Sequence, residues 1–164
     1  MKRRVCLALG SFSLARIVLA VMLVLIIGKV DAQDAQDFPS LRQRAEDAVK
    51  SMRPDWTLVR KDEKPKQVIY QYGTVSDGVN LSIFYGSSQE EAAVKMKSAL
   101  KFLSVGPGKK ITTLGDEAYL WQSERGPFAG IRFRKSNVYI DLVAPSIDVA
   151  ENLAKGLAQF IQKK

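Results

Sequence analysis

The chain has 164 residues and contains no histidine, and its single cysteine is Cys6. Without histidine there is no Ser-His-Asp or Cys-His nucleophilic system, no His-based zinc site and no general base that titrates by itself near neutral pH. Residues 33–164 also lack cysteine, so this part of the chain cannot form disulfides and depends on its core for stability. The chemistry that remains belongs to carboxylates, lysines and hydroxyl groups.

Recognisable ligand motifs are missing as well. Gly106-Pro-Gly-Lys-Lys110 has the composition of a phosphate-binding loop, but it follows a predicted helix instead of a strand and lacks the Walker spacing. We interpret it as a helix end. No calcium loop, no paired-acid spacing and no nucleic-acid recognition motif occurs in the sequence. We therefore expect no cofactor, no bound metal and no nucleic-acid partner.

The N-terminal segment, residues 1–32, carries the clearest positive signal. Lys2, Arg3, Arg4 and Arg16 precede or flank the apolar run at 17–28, and Val30-Asp-Ala32 is a small-residue site. This order predicts a secretory signal peptide, residues 1–32, that is cleaved before Gln33. The alternative is an uncleaved anchor, although a spanning helix needs about 20 apolar residues. Both alternatives place the remaining chain outside the cytoplasm. A cleaved signal leaves it in the periplasm or outside the cell, and an uncleaved anchor leaves it tethered to the membrane and facing outward.

Loss of the leader would halve the net charge. The chain carries 25 Lys+Arg and 17 Asp+Glu, a formal net charge of +8. The leader holds five of these basic residues and one acidic residue, which leaves +4 on residues 33–164. A mildly basic exported domain associates loosely with anionic material. The partners we expect are an envelope protein or an anionic polymer, with membrane contact only through the N-terminal segment if it stays uncleaved.

The chain after the leader predicts one α+β domain, residues 40–164, preceded by a flexible tail of residues 33–39. Capping boxes predict a first helix from Ser40 to before Pro54 and a second helix from Ser88, and Ser146 caps a third. Strands are predicted by alternation and β-prone composition, and the charged residues 61–66 are predicted as a loop. The predicted strands are residues 56–59, 67–72, 79–85, 118–121, 130–134 and 138–143.

This order favours a mostly antiparallel sheet with helices packed on one face. The sequence of residues 79–85 also resembles that of residues 138–144, 59 positions later, and the helices that follow resemble each other at a separation of 57 positions. The match indicates either two related hairpin-plus-helix units or two unrelated elements with the same periods. Under both interpretations we expect the second and third helices side by side on the apolar face.

The last hairpin predicts its own register. A two-residue turn at Ser136-Asn137 pairs apolar residues on one face and polar residues on the other, whereas a shift of one residue would mix them. The predicted pairs are Phe133 with Ile140, Ile131 with Leu142, Arg132 with Asp141 as a salt bridge, and Arg134 with Tyr139 as a cation–π contact.

The candidate ligand-binding residues are Arg132, Arg134, Tyr139 and Phe84, which alternation places on the second face of the sheet. If no helix covers that face, they form a basic and aromatic patch for an anionic or glycan ligand or a partner protein. The other interpretation is a solvated face with ordinary cross-strand pairs. A first helix packed on this face would remove the site.

Asp116 and Glu117 are the carboxylates to weigh for catalysis. Adjacent strand residues point to opposite faces, so they cannot act as a close pair. Gly115 followed by Asp116 suits a turn whose carboxylate accepts a backbone N–H. We assign no catalytic residue and predict an exported non-catalytic binding or accessory domain. The alternative is an exported hydrolase that uses these carboxylates.

Gly115-Asp-Glu-Ala118, the segment Ile-Arg-Phe-Arg-Lys-Ser-Asn-Val at 131–138 and a terminal amphipathic helix together form a recurring pattern. It resembles a pattern found in uncharacterised exported bacterial α+β proteins. The resemblance covers the last third of the chain. It implies export and no catalytic residue.

Overall fold

A seven-stranded antiparallel sheet organises the computed structural model, which describes residues 38–74, 76–101, 108–124 and 126–162. Three helices accompany the sheet in these residues: α1 (residues 38–52), α2 (Gln89–Lys101) and α3 (Ile147–Gln162). The strands, in chain order, are β1 (Leu58–Lys64), β2 (Gln67–Gly73), β3 (Gly78–Tyr85), β4 (Lys109–Ile111), β5 (Glu117–Gln122), β6 (Ala129–Lys135) and β7 (Val138–Ala144). The predicted α+β class and the antiparallel sheet are confirmed.

The spatial order of the strands is β1-β2-β3-β7-β6-β5-β4. Two meanders, β1 to β3 and β4 to β7, therefore meet along the β3–β7 pair, which aligns Leu81 with Leu142 and Ile83 with Ile140. All described residues belong to one compact unit. The short strand β4 was not predicted, because so short a segment carries too little pattern to identify a strand.

The predicted register of the β6–β7 hairpin is confirmed. Phe133 pairs with Ile140 and Arg132 with Asp141 across the turn at Ser136 and Asn137. Ser136 adopts a positive φ of 53°, a conformation that costs a non-glycine residue free energy and that matches the twist of a two-residue hairpin. The alternation of apolar and polar residues therefore determined the pairing.

The inner face of the sheet, defined by Leu81, Ile83, Ile140 and Leu142, holds the main core. Helices α1 and α3 both pack on it, because each presents an apolar stripe at helical spacing. The core residues of α1 are Phe38, Leu41, Ala45, Ala48 and Val49, and those of α3 are Ala150, Leu153, Ala154, Leu157 and Ala158.

Helix α2 lies on the opposite, outer face. Its buried residues Ala92 and Met96 form a separate small cluster with Phe84 and Tyr139. The expectation that the second and third helices lie side by side on one face is therefore wrong. The physical reason is that α1 and α3 already occupy the inner face, while the outer face offers two large aromatic side chains that gain from being covered.

The opposite placement of the two helices also bears on the repeated pattern. Val79 and Val138 lie in equivalent, inward positions of β3 and β7, so the strands match as the sequence shift suggested. The helices do not match, since α2 covers the outer face and α3 the inner face. The two hairpin-plus-helix units therefore differ in three-dimensional arrangement.

The N-terminal boundary of the domain differs from the prediction. Phe38 and Pro39, assigned to the flexible tail, belong to α1, so this helix does not begin at Ser40. Phe38 is buried and stacks on Tyr85 with ring centroids 5.5 Å apart. This aromatic contact draws the first described residue into the core. The predicted tail residues 33–37, the predicted leader and the predicted helix end at 106–107 lie outside the described residues.

The charged segment 61–64, predicted as a loop, is part of edge strand β1. Lys61 Nζ lies 2.8 Å from Glu46 of α1 and 2.7 Å from Glu63, and Arg42 Nη1 of α1 lies 2.8 Å from Glu63. An edge strand needs little apolar content, and charged side chains protect it from pairing with other chains. The ion pairs to α1 and the ladder to β2 stabilise β1 instead.

The two other predicted caps are confirmed. Ser88 Oγ accepts a hydrogen bond from Glu91 N at 3.2 Å, and Ser146 Oγ accepts one from Val149 N at 3.3 Å. Hydrogen bonds from the Ser87 hydroxyl and backbone N–H and from Lys66 lower the pKa of Glu91 to about 2. These contacts tie the start of α2 to the end of β3 and to Lys66, which follows β1.

No helix within the described part of the chain combines the length and the apolar content that crossing a bilayer requires.

Candidate functional site

The four candidate ligand-binding residues all lie on the outer face of the sheet. Phe84 and Tyr139 are cross-strand neighbours beneath α2, and each is less than a tenth exposed. Arg132 is 5% exposed. The helix that covers this part of the face is α2, whereas the sequence had suggested α1 for that role. The four residues therefore do not form an open patch. The part of the outer face that α2 leaves open is a different one, described below.

Arg132 and Asp141 form the predicted salt bridge, with Arg132 Nε 3.0 Å from Asp141 Oδ2. The guanidinium carbon also lies 5.7 Å from the Trp121 ring centroid, and the Tyr139 hydroxyl donates to Asp141 Oδ2 at 3.4 Å. Burial, followed by the charge of Asp141, raises the pKa of Tyr139, so this hydroxyl stays protonated. The centre of the outer face is thus a buried polar network.

Arg134 stands opposite Tyr139 in the ladder but contacts other groups. Its Nη1 donates to Asp116 Oδ2 at 2.9 Å and to the Ser136 carbonyl at 3.1 Å. Asp116 Oδ2 also accepts the Ser136 backbone N–H at 2.7 Å. Asp116 therefore accepts a backbone N–H as predicted, from the neighbouring hairpin, and stabilises the positive φ of Ser136.

Glycine is required beside this contact. Gly115 has a φ of +60°, and a Cβ at this position would lie 2.4 Å from the Arg134 carbonyl oxygen. Glu117, the second carboxylate weighed for catalysis, accepts a hydrogen bond from the Tyr119 hydroxyl at 3.0 Å. Asp116 and Glu117 thus bind different partners, and each has a structural role of its own.

A cleft opens on the part of the outer face that α2 leaves uncovered, and we call it the outer cleft. Its volume is about 270 Å³. The floor comprises Gln71, Asn80 and Val143, which are neighbours across β2, β3 and β7. Phe128, between β5 and β6, and Thr74, after β2, also line it, together with Tyr72, Gly78 and Val79.

Two carboxamides of the outer cleft are free to bind a ligand. No hydrogen bond within the described residues involves the carboxamide of Gln71 or of Asn80, whereas the nearby Gln67 carboxamide donates to Ser82 Oγ at 2.9 Å. Each free carboxamide offers two donors and an acceptor. The cleft therefore combines two free carboxamides with an aromatic side chain, while the Thr74 hydroxyl accepts a hydrogen bond from the Asp77 backbone N–H at 3.1 Å.

Trp121 belongs to a row of paired residues that crosses the sheet and includes two residues of the cleft floor. The ladder aligns Asn80 with Val143, Val143 with Gly130, and Gly130 with Trp121. A Cβ on Gly130 would lie 2.4 Å from the indole ring, so the ring lies across the glycine backbone. The glycine thus allows Trp121 to lie flat on the sheet, one strand from the cleft floor.

The sequence did not identify the outer cleft. Asn80 lies four residues before Phe84 in β3, so alternation places it on the same outer face, but Gln71, Val143 and Phe128 carried no signal of their own. They meet because β3 pairs with β7, and this pairing joins segments that lie far apart along the chain.

Within the ranges described, no group of three or more acidic or other metal-ligating side chains is placed to hold a metal ion. No protein-family model, curated protein sequence or solved structure matches the chain. The resemblance of the last third to exported bacterial proteins therefore stays a prediction.

Proposed function

We propose that this chain is an exported, non-catalytic binding domain that holds a neutral polar ligand in the outer cleft. The supporting observation is the lining of the cleft. Carboxamides and a threonine hydroxyl exchange hydrogen bonds but do not act as general acids or bases near neutral pH, and no carboxylate, lysine or arginine of the described residues lines the cleft. Such a lining favours recognition over proton transfer.

The size and shape of the cleft indicate the ligand class. Its 270 Å³ is slightly below the range of about 300–1,000 Å³ that is usual for drug-sized ligands. A ligand of one ring fits this volume better than an extended chain. Phe128 supplies an apolar face for stacking, and Gln71 and Asn80 supply directed hydrogen bonds. A neutral monosaccharide, including its N-acetylated form, combines these features.

A carboxamide double variant tests the cleft. We expect N-acetylglucosamine, titrated into the isotope-labelled protein, to shift the backbone amide signals of Gln71, Asn80 and Val143. Gln71→Ala combined with Asn80→Ala should weaken binding by roughly 10- to 100-fold, since each lost ligand hydrogen bond costs about 1 kcal/mol. The dissociation constant from the titration is the measurement.

The chain offers a matched control for this experiment. Asn152 and Gln159 are exposed residues of α3, so Asn152→Ala combined with Gln159→Ala removes the same two functional groups elsewhere. This control should bind like the wild type. Equal weakening in both double variants, or no shift with N-acetylglucosamine or glucose, would contradict the proposed cleft. Chemical conversion of the sugar would support the hydrolase alternative instead.

The exported part of the proposal has its own test. We expect N-terminal sequencing of the protein recovered from outside the cytoplasm to begin at Gln33, since Val30 and Ala32 provide the small residues that signal cleavage requires. A start at Met1 would replace the cleaved signal with the tethered alternative. Recovery only from the cytoplasm would contradict export itself.

A further inference from the structure

Three exposed lysines lie along the side of the outer face opposite the outer cleft. Lys97 and Lys101 belong to α2, and Lys110 belongs to the edge strand β4. We call these three residues the basic surface. No ion pair or hydrogen bond links any of them to another described residue. By contrast, Lys61, Lys66 and Lys155 each contact a carboxylate at 3.1 Å or less.

The fold brings these lysines to one side of the molecule. Lys95 lies over the Phe84 ring at 5.5 Å, which marks the side of α2 that faces β3. At about 100° per residue, Lys97 and Lys101 project from the other side, toward β5 and β4. Tyr119 of β5 packs against the α2 cluster and pairs with Lys110 in the ladder. Lys110 therefore lies beside the C-terminal half of α2.

The basic surface is also prominent. Among the described residues, α2 is the only helix on the outer face, so its outward side projects beyond the sheet. That side also exposes Val94, which is 63% accessible, next to Lys97 and Lys101. A flat partner approaching this side meets α2 first. Lysines around a protruding apolar side chain are the combination that binds an anionic lipid surface.

We propose that the basic surface binds the anionic head groups of a phospholipid membrane. Each of its three lysines is exposed and has no anionic partner among the described residues, so their charges can act together on one side of the molecule. This contact does not require an uncleaved leader. The outer cleft lies toward β2 and β3, away from the three lysines, and stays accessible when the surface is bound.

Vesicle co-sedimentation tests the proposal with protein in the form in which cells export it. The probes are vesicles of phosphatidylcholine and vesicles in which about 40% of the lipid is phosphatidylglycerol, each at about 0.1 M and about 1 M salt. We expect binding to the anionic vesicles at the lower salt and its loss at the higher salt, because the Debye length falls from about 10 Å to about 3 Å.

The decisive variant replaces all three lysines of the basic surface with glutamine. Its partition coefficient on anionic vesicles should fall by at least about 100-fold, since each lysine near an anionic surface contributes about fivefold. A charge-matched control carries Lys50→Gln, Arg60→Gln and Lys64→Gln at exposed positions elsewhere. This control should lose less than about tenfold.

Three results would overturn the proposal. Equal losses in the two triple variants would mean that net charge, not the basic surface, drives binding. Salt-independent binding would assign the contact to apolar insertion. Retention on an anionic polysaccharide that needs the three lysines, without vesicle binding, would assign the surface to a polymer. All variants share the same N-terminal state, so the ratio of their partition coefficients reports the contribution of the basic surface alone.

Discussion

Arg132→Met should lower the free energy of unfolding by about 2–3 kcal/mol. The substitution keeps the aliphatic stem but removes the cation paired with Asp141, whose side chain is 26% accessible. Breaking a fully buried pair costs about 3–5 kcal/mol, and the partial exposure of Asp141 lowers the expected cost below that range. Denaturant unfolding, with the midpoint and slope compared with the wild type, measures the change.

A second substitution separates the loss of a partner from the loss of packing. Arg132→Met combined with Asp141→Leu should recover most of the lost stability, because apolar replacement of both partners removes the cost of burying the carboxylate. Lys155→Met serves as the control. It breaks an exposed i,i+4 pair with Glu151 and should change stability by less than about 0.5 kcal/mol. If Arg132→Met cost no more than Lys155→Met, the network on the outer face would have no stabilising role.

Leu153→Ala should cost about 2–5 kcal/mol and destabilise the whole domain. Leu153 is 1% exposed on α3 and belongs to the large inner core, which includes residues from α1, α3 and most of the strands. Truncation of a buried leucine removes transfer free energy and leaves a cavity. We expect native-state hydrogen exchange to show lower protection in the slowest amides of the sheet and of α3 together.

Met96→Ala should give a local effect instead. Met96 is fully buried, but the outer cluster that it joins contains only three other buried residues among those described, Phe84, Ala92 and Tyr139. We expect α2 amides to lose protection by about 2–3 kcal/mol, while the strands and α3 keep theirs. Val94→Ala, at an exposed site on the same helix, is the control and should have almost no effect. Equal loss of protection across the sheet in Met96→Ala would contradict an independently attached α2.

The sequence predictions were correct where the interactions join residues close together along the chain, and they failed where the interactions join distant residues. Residues 130–143 were paired correctly because a two-residue turn leaves one register in which Phe133 meets Ile140 and Arg132 meets Asp141. The caps at Ser88 and Ser146 are local in the same sense. Residues 61–64 were assigned to a loop because their strand conformation depends on β2 and on the ion pairs to α1.

The candidate site illustrates the same limit. Alternation placed Phe84, Arg132, Arg134 and Tyr139 on the outer face correctly, but it carried no information on what covers that face. The stripe of α2 would pack on either side of the sheet by its apolar content alone. Its position was decided by α1 and α3, which occupy the inner face. The open part of the outer face is therefore the part around Gln71 and Asn80.

The sequence by itself therefore determined the chemistry that the chain lacks, the periods of its helices and strands, and the register of its last hairpin, because these depend on residue types and on neighbours along the chain. The tertiary structure alone decided which face each helix covers and where a ligand has room. Both depend on the β3–β7 pairing and on competition between helices for one apolar face, and no local stretch of sequence records either.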